Sequence, residues 1–309
     1  MKRIAQRLAQ LVPTTVGALV LVFVLMRVLP GDPAAAMLGT NATPQAVADL
    51  RSQLGLDKPL LQQFLDYVLG LGTLDLGRSL ALRAPVTSLL WQALLPTLLL
   101  TISGTLVSVI VGVPLGVAAA LKRGTWIDYT ATLLALLGIS MPVFVWGVLL
   151  LLAFTLQWPV LPSAGAGSNP LEVARALILP SIATGFFQVG LVARITRSSL
   201  LSILANDYVR TARAKGLAPP QVIGDHALRN ALIPVLTVIG LNFGTLLGGA
   251  VVAETVFTRP GLGRLILDAI AARDYPVIQG VMIVSVVFVV LLNLIVDLLY
   301  GVADPRVRA

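Results

Sequence analysis

The chain has 309 residues, 57% of them hydrophobic and only 12% charged, with a mean hydropathy of +0.92. A soluble domain carries about a quarter charged residues, so this is the composition of an integral membrane protein. The net charge of +8 comes with no aromatic-interleaved basic patches, which argues against nucleic acid, and no cysteine and one histidine exclude disulfide frameworks, thiolate metal sites and iron–sulfur clusters.

A spanning helix needs about 20 mainly apolar residues. Six segments meet this, at about 10–29, 94–120, 130–156, 176–199, 231–256 and 278–301, so the expected fold is all-α and polytopic with six transmembrane helices. The first run follows Lys2, Arg3 and Arg7, and its apolar core exceeds the 7–15 residues of a signal peptide, which predicts an uncleaved helix despite Ala34-Ala35-Ala36 downstream. With the amino terminus inside, thirteen of the 22 basic residues fall on the inner side against four acids, Asp128, Asp207, Asp225 and Asp304. The positive-inside rule therefore places both termini in the cytoplasm.

Three regions follow: 1–30 with the first span, an extracytoplasmic amphipathic region 31–93, and a five-helix core 94–309 with an inner loop at about 200–230. In 31–93, Thr43-Pro44 opens a predicted helix that carries Val47, Leu50 and Leu54 to a stop at Gly55, and Pro59 opens a second. Each is suited to the membrane surface or to the bundle.

Gly240, Gly244 and Gly248 recur every fourth residue on the fifth span, and Gly112 and Gly116 do so on the second. Such stripes let helices approach closely. They serve packing inside the chain or against another subunit, and the sequence leaves both open. Pro96, Pro114, Pro142, Pro180 and Pro234 lie in or beside spans, where kinks are either static or part of gating. Asp297, with Asn293 one turn earlier, lies within the last span. Without a second buried acid or basic partner it reads as a structural hydrogen-bonding group, the alternative being an ion-coupled carrier centred on it. Glu254 and Arg27 lie at span ends and are read as snorkelling to water.

A phosphate-binding loop needs a lysine after glycine, and none of Lys2, Lys58, Lys122 and Lys215 follows one. ATP hydrolysis, if it drives this protein, occurs on another polypeptide. His226 beside Asp225 forms no metal or hydrolase constellation.

The inner loop is the polar exception among apolar runs. Asn206 or Asp207 is expected to cap a short helix through Tyr208, Val209, Arg210, Thr211, Ala212, Arg213, Ala214 and Lys215 that stops at Gly216, and Pro219-Pro220 prevents simple continuation. So short a helix needs a surface to dock on. That surface is a partner protein or anionic lipid headgroups.

The motifs Arg27-Val-Leu-Pro-Gly-Asp-Pro33, Leu54-Gly-Leu-Asp-Lys-Pro-Leu60, Asp75-Leu-Gly-Arg-Ser79, Pro162-Ser-Ala-Gly165, Arg210-Thr-Ala-Arg-Ala-Lys-Gly216, His226-Ala-Leu-Arg-Asn-Ala-Leu-Ile-Pro234, Glu254-Thr-Val-Phe-Thr-Arg-Pro-Gly-Leu-Gly263, Asn293-Leu-Ile-Val-Asp-Leu-Leu-Tyr300 and Asp304-Pro-Arg306 occur in this order along the chain. Together they resemble the first permease of dipeptide/oligopeptide/nickel importers of the ATP-binding-cassette class. Against the broader importer pattern, Glu-Ala-Ala then three residues then Gly, this chain has Arg210, Thr211, Ala212 and Gly216. The resemblance implies a type I importer-permease fold in a bacterial or archaeal cell membrane. It also implies a second permease, two ATPase subunits that bind the ATP and Mg, and an extracytoplasmic binding protein, with no cofactor in this chain. Residues 207–216 would be the coupling helix seated on an ATPase. The cargo implied is a di- or oligopeptide, or alternatively nickel or another small solute.

Overall fold

The computed structural model describes residues 13, 15–17, 19–25, 28, 32–39, 43–53, 55–72, 75–79, 81–165 and 167–303. Among these the chain is helical, with one isolated bridge between Arg78 and Pro85. Helices α1 (Thr15–Leu25), α2 (Pro33–Leu38), α3 (Pro44–Gln53) and α4 (Leu60–Gly72) are followed by the long α5 (Val86–Leu121). Then come α6 (Trp126–Ser140), α7 (Val143–Leu151) with a π-helical turn Leu152–Gln157, and α8 (Pro170–Leu204). The inner loop holds α9 (Asp207–Ala214), α10 (Pro219–Gln221) and a π-helical turn Val222–Leu228, and the chain continues as α11 (Arg229–Val256), α12 (Leu262–Ala271) and α13 (Tyr275–Ala303).

Among the described residues, four helices are long and apolar enough to cross a membrane, and a fifth crossing is made if α6 and the helix Val143–Gln157 count as one. The expected span 130–156 is thus not a continuous helix: it breaks at Met141-Pro142 and turns by 104°. Of the five prolines noted in the sequence, Pro142 alone coincides with a break, whereas Pro96, Pro114, Pro180 and Pro234 lie inside continuous helices. The expected first span lies partly outside the described residues, as do Arg27 and the chain ends. Helix α13 runs through positions 293 and 297, whose side chains are also outside them.

Contacts divide the chain into two compact units. The first comprises Met1–Leu95 and Gly261–Leu291. Here α3 starts as its sequence dictates, with the Ala46 N–H donating to Thr43 Oγ1 at 3.2 Å, and Gly55, just past its end at Gln53, stands at φ +64°. Phe23 of α1 packs edge-on to Phe64 of α4, ring centres 5.2 Å apart. Lys58 donates to Asp66 at 2.7 Å, and that bond holds the ammonium above its ordinary range. The core joins Val86, Leu90 and Ala93 to Leu262, Ala269, Val277 and Val281. Buried Asp274, between α12 and α13, accepts from Ser79 Oγ at 2.5 Å and Ala81 N–H at 3.2 Å, which fixes the loop before α5.

The second unit, Pro96–Pro260 and Leu292–Ala309, is built around α8. That helix opens on Asn169, whose Oδ1 accepts from Glu172 N–H at 2.9 Å, with Pro170 at the first helical position. Leu179 and Ala183 of α8 pack with Leu100 of α5 and Ala250, Ala253 and Phe257 on and beside α11. A second cluster joins Ala120, Leu200, Ala227 and Ala231.

Candidate functional site

The inner loop folds as its residues direct, with two differences. Asn206 occupies the cap position of α9 in an extended conformation, but its side chain makes no capping bond, so neither Asn206 nor Asp207 caps as expected. Asp207 instead places its charge in the first turn and Arg213 lies in the last, both favourable to the helix dipole. The helix ends at Ala214, and Gly216 follows at φ +82°, donating its N–H to Arg213 O at 3.0 Å.

The second difference is that α9 carries its own seat. Val209 and Ala212, three residues apart and therefore on one face, are buried with Val222 against Ile203 and Leu204. Tyr208 donates its hydroxyl to His226 O at 3.3 Å, and Asn230 Nδ2 donates to Tyr208 Oη at 3.1 Å and to His226 O at 3.0 Å. The π-helical turn that carries His226 is thus a brace for α9. Among the candidate residues Ala212 is turned inward, while Asp207, Tyr208, Arg210, Thr211, Arg213, Ala214, Lys215 and Gly216 are exposed. Asp207 and Arg210 are 3.5 Å apart and nearly fully exposed, a pair worth little by itself. This leaves a helix packed on its own chain along one face and charged and exposed on the other.

The glycine stripe on α11 is less packed than its spacing implies. Gly240 is buried, Gly244 is half-buried, and Gly248 is exposed, with open space where a Cβ would stand. The close approaches inside this unit belong to other glycines. A Cβ at Gly112 would meet Val192 Cβ at 2.9 Å, one at Gly116 would meet Ala193 O at 2.5 Å, and one at Gly138 would meet Phe186 O at 2.6 Å. Gly112 and Gly116 were legible from their repeat; Gly138 is an isolated glycine with no pattern around it.

Several charged residues are used in ways the sequence did not disclose. Arg197 of α8 grips Asp128 of α6 with two bonds, Nε to Oδ1 at 2.7 Å and Nη2 to Oδ2 at 2.8 Å, and Gly124 N–H adds a third at 3.0 Å. Glu254 does not snorkel: it is 1% exposed and accepts from Thr97 Oγ1 at 2.5 Å. Arg259, 2% exposed, donates to Gly165 O and Ala176 O at 3.0 Å each. No group of His, Cys, Asp or Glu suited to a metal ion occurs among the described residues.

Residues 112–309 match the model of the binding-protein-dependent transport system inner membrane component, and residues 1–101 match the model of the N-terminal part of such membrane components. The chain belongs to this family. It is 43% identical to the dipeptide transport system permease protein DppB of Escherichia coli strain K12, over 99% of this chain and 98% of that protein. It is 44% identical to the di/tripeptide transport system permease protein DppB of Pseudomonas aeruginosa, with the same coverage. A putative peptide transport system permease of Brucella abortus is 43% identical over 99% of this chain and 98% of its own length. Among solved structures, a chain of the methionine ABC transporter MetNI in an inward-facing form superposes with a TM-score of 0.59, covering 70% of this chain and 96% of that one at 20% identity. This likeness shows the importer-permease fold. The chain is a multi-pass permease of the inner membrane.

Proposed function

We propose that this chain is one permease of an ATP-driven, binding-protein-dependent importer for di- or oligopeptides. The cargo reading rests on relatives 43–44% identical over nearly their whole length, which carry peptide-permease names. The mechanism rests on one observation: α9 is braced from behind by Val209, Ala212 and the Tyr208–His226–Asn230 bonds, and it presents Asp207, Arg210, Thr211 and Ala214 outward. A helix fixed to its own chain on one face transmits force applied to the other. In this reading two ATPase subunits bind ATP and Mg, and one of them receives residues 207–216 in a groove. ATP binding closes the ATPases, α9 moves with them, and α8 and the α11 end carry the motion into the spans. A second permease completes the path and an extracytoplasmic protein delivers the peptide. The chain would cross the membrane six times with both ends inside.

The test is reconstitution. Proteoliposomes with the second permease, the two ATPases and the binding protein should take up a labelled dipeptide only with ATP. Uptake by this chain alone, driven by a proton or sodium gradient, would refute the proposal and favour an ion-coupled carrier.

A further inference from the structure

The break between α6 and α7 is irregular backbone facing the middle of α8, and in a membrane-spanning segment such backbone is tolerated only where protein covers it or a wet cavity faces it. A cavity of about 320 Å3 is there, lined by Ile139 through Val143, by Thr184 and Phe187 near the middle of α8, and by Thr245, Leu246 and Gly249 of α11. Its volume is at the small end of the ~300–1,000 Å3 range of small-molecule sites.

The polar groups at this place are main-chain groups at the break and the side-chain hydroxyls of Ser140, Thr184 and Thr245. Pro142 has no N–H, so the Gly138 carbonyl loses the donor that a continuous helix would supply. The first bonds of α7 run from Val145 N–H and Trp146 N–H to Pro142 O, which leaves the N–H groups of Val143 and Phe144 without an acceptor in their own helix. Thr245 donates its hydroxyl to Asn242 O at 2.6 Å and Thr184 donates to Pro180 O at 2.9 Å. Each proton is committed to its own helix, so what these hydroxyls offer a ligand is acceptor lone pairs. Among the lining residues, Val143 therefore offers a main-chain donor for a carbonyl and the Thr184 and Thr245 hydroxyls offer acceptors for an amide, together with apolar walls from Met141, Val143, Phe187 and Leu246. Met141 adapts to side chains of different shape.

We propose that this cavity holds the main chain of a short peptide during its passage. The inference rests on the peptide-importer reading above and deepens it. Recognition of amide groups rather than side chains is what a carrier of peptides with varied side chains needs.

Gly249 supplies the test. A Cβ there meets nothing within 4 Å, so a larger side chain grows into the cavity without straining its own helix. Gly248 next to it is equally open but does not line the cavity. In the complete reconstituted transporter, Gly249→Leu should lower uptake of trialanine by roughly tenfold or more, as added methylenes in a pocket do, and Gly248→Leu should not. The chain has no cysteine, so Thr245→Cys reports the site independently. Trialanine delivered by the binding protein should slow its modification by a small thiol reagent, and trialanine methylated on its amide nitrogens should slow it less. Equal effects of the two leucines, no effect of either, or modification indifferent to peptide would overturn the proposal. So would a Thr245→Cys that is shielded at every stage by the second permease. If wild-type vesicles take up no peptide, the importer reading fails; if they do and Gly249→Leu matches them, only the cavity assignment fails.

Discussion

Gly216→Val separates backbone from contact at the end of α9. The glycine sits at φ +82° and a Cβ would meet nothing within 4 Å, so a substitution adds no clash. What remains is the cost of holding an L-residue in left-handed backbone, about 1–2 kcal/mol. A β-branched residue belongs at the upper end of that range. At about 1.4 kcal/mol per tenfold, a cost of about 2 kcal/mol should weaken the affinity for an ATPase that reads this loop end by up to about thirtyfold. Gly216→Asn should recover most of the loss, because asparagine tolerates this conformation although it too carries a side chain. The assay is titration of the purified ATPases onto the permease pair in detergent, followed by peptide uptake and ATP hydrolysis in vesicles. Wild-type affinity in Gly216→Val would refute the reasoning. An equal loss in Gly216→Asn would show that bulk at the interface, not backbone geometry, governs it.

Arg197→Lys should destabilise the protein by about 1–3 kcal/mol, since a point-charge ammonium cannot reproduce a two-bond fork. A thermal-melt double-mutant cycle with Asp128→Asn checks that the two effects are not additive. Thr97→Val should lower the melting temperature, because it removes a hydrogen bond to a buried carboxylate worth about 1.5–3 kcal/mol, while Glu254→Gln should retain more stability than Glu254→Leu. Asp297→Asn should leave uptake within severalfold of wild type, and abolished uptake at normal membrane levels would revive ion coupling. Single cysteines at Gly124 and Ala309 should resist an impermeant thiol reagent applied to intact cells while one at Thr73 reacts; the reverse pattern would refute the orientation.

The sequence was legible where local chemistry decides. Thr43-Pro44, Gly55 and Gly216 each start or stop a helix for reasons contained within four residues, and the structure has those ends. It was illegible where the answer depends on distant partners. Nothing local shows that Asp128 meets Arg197 across 69 residues or that Glu254 meets Thr97 across 157. Rules of position, such as snorkelling at span ends, stood in for those partners and misplaced Glu254. Helix α9 depends on distance too: the apolar neighbours Val222, Ile203 and Leu204 that cover Val209 and Ala212 lie outside it. The break at Met141-Pro142 was half legible. The proline was visible, but four other prolines in the spans leave their helices intact, so the residue alone does not determine a break.

Buried pairing also sharpens what the charge surplus means. Arg197 is committed to Asp128 and Arg259 to the carbonyls of Gly165 and Ala176, all within the chain. These charges hold the fold and are not available to partners. On α9 the opposite holds. Arg213 and Lys215 face solvent, and Arg210 has a neighbour in Asp207 at 3.5 Å, in an arrangement both residues can leave at almost no cost. A charge held by a strong internal bond must be desolvated and unpaired before it can bind elsewhere, whereas one in a weak exposed pair exchanges water for a partner directly. The helix is packed on its apolar face and unspent on its charged face. That combination supports the proposed docking of α9 on an ATPase over a basic stretch lying in headgroups, which needs the charge but gains nothing from a brace behind it.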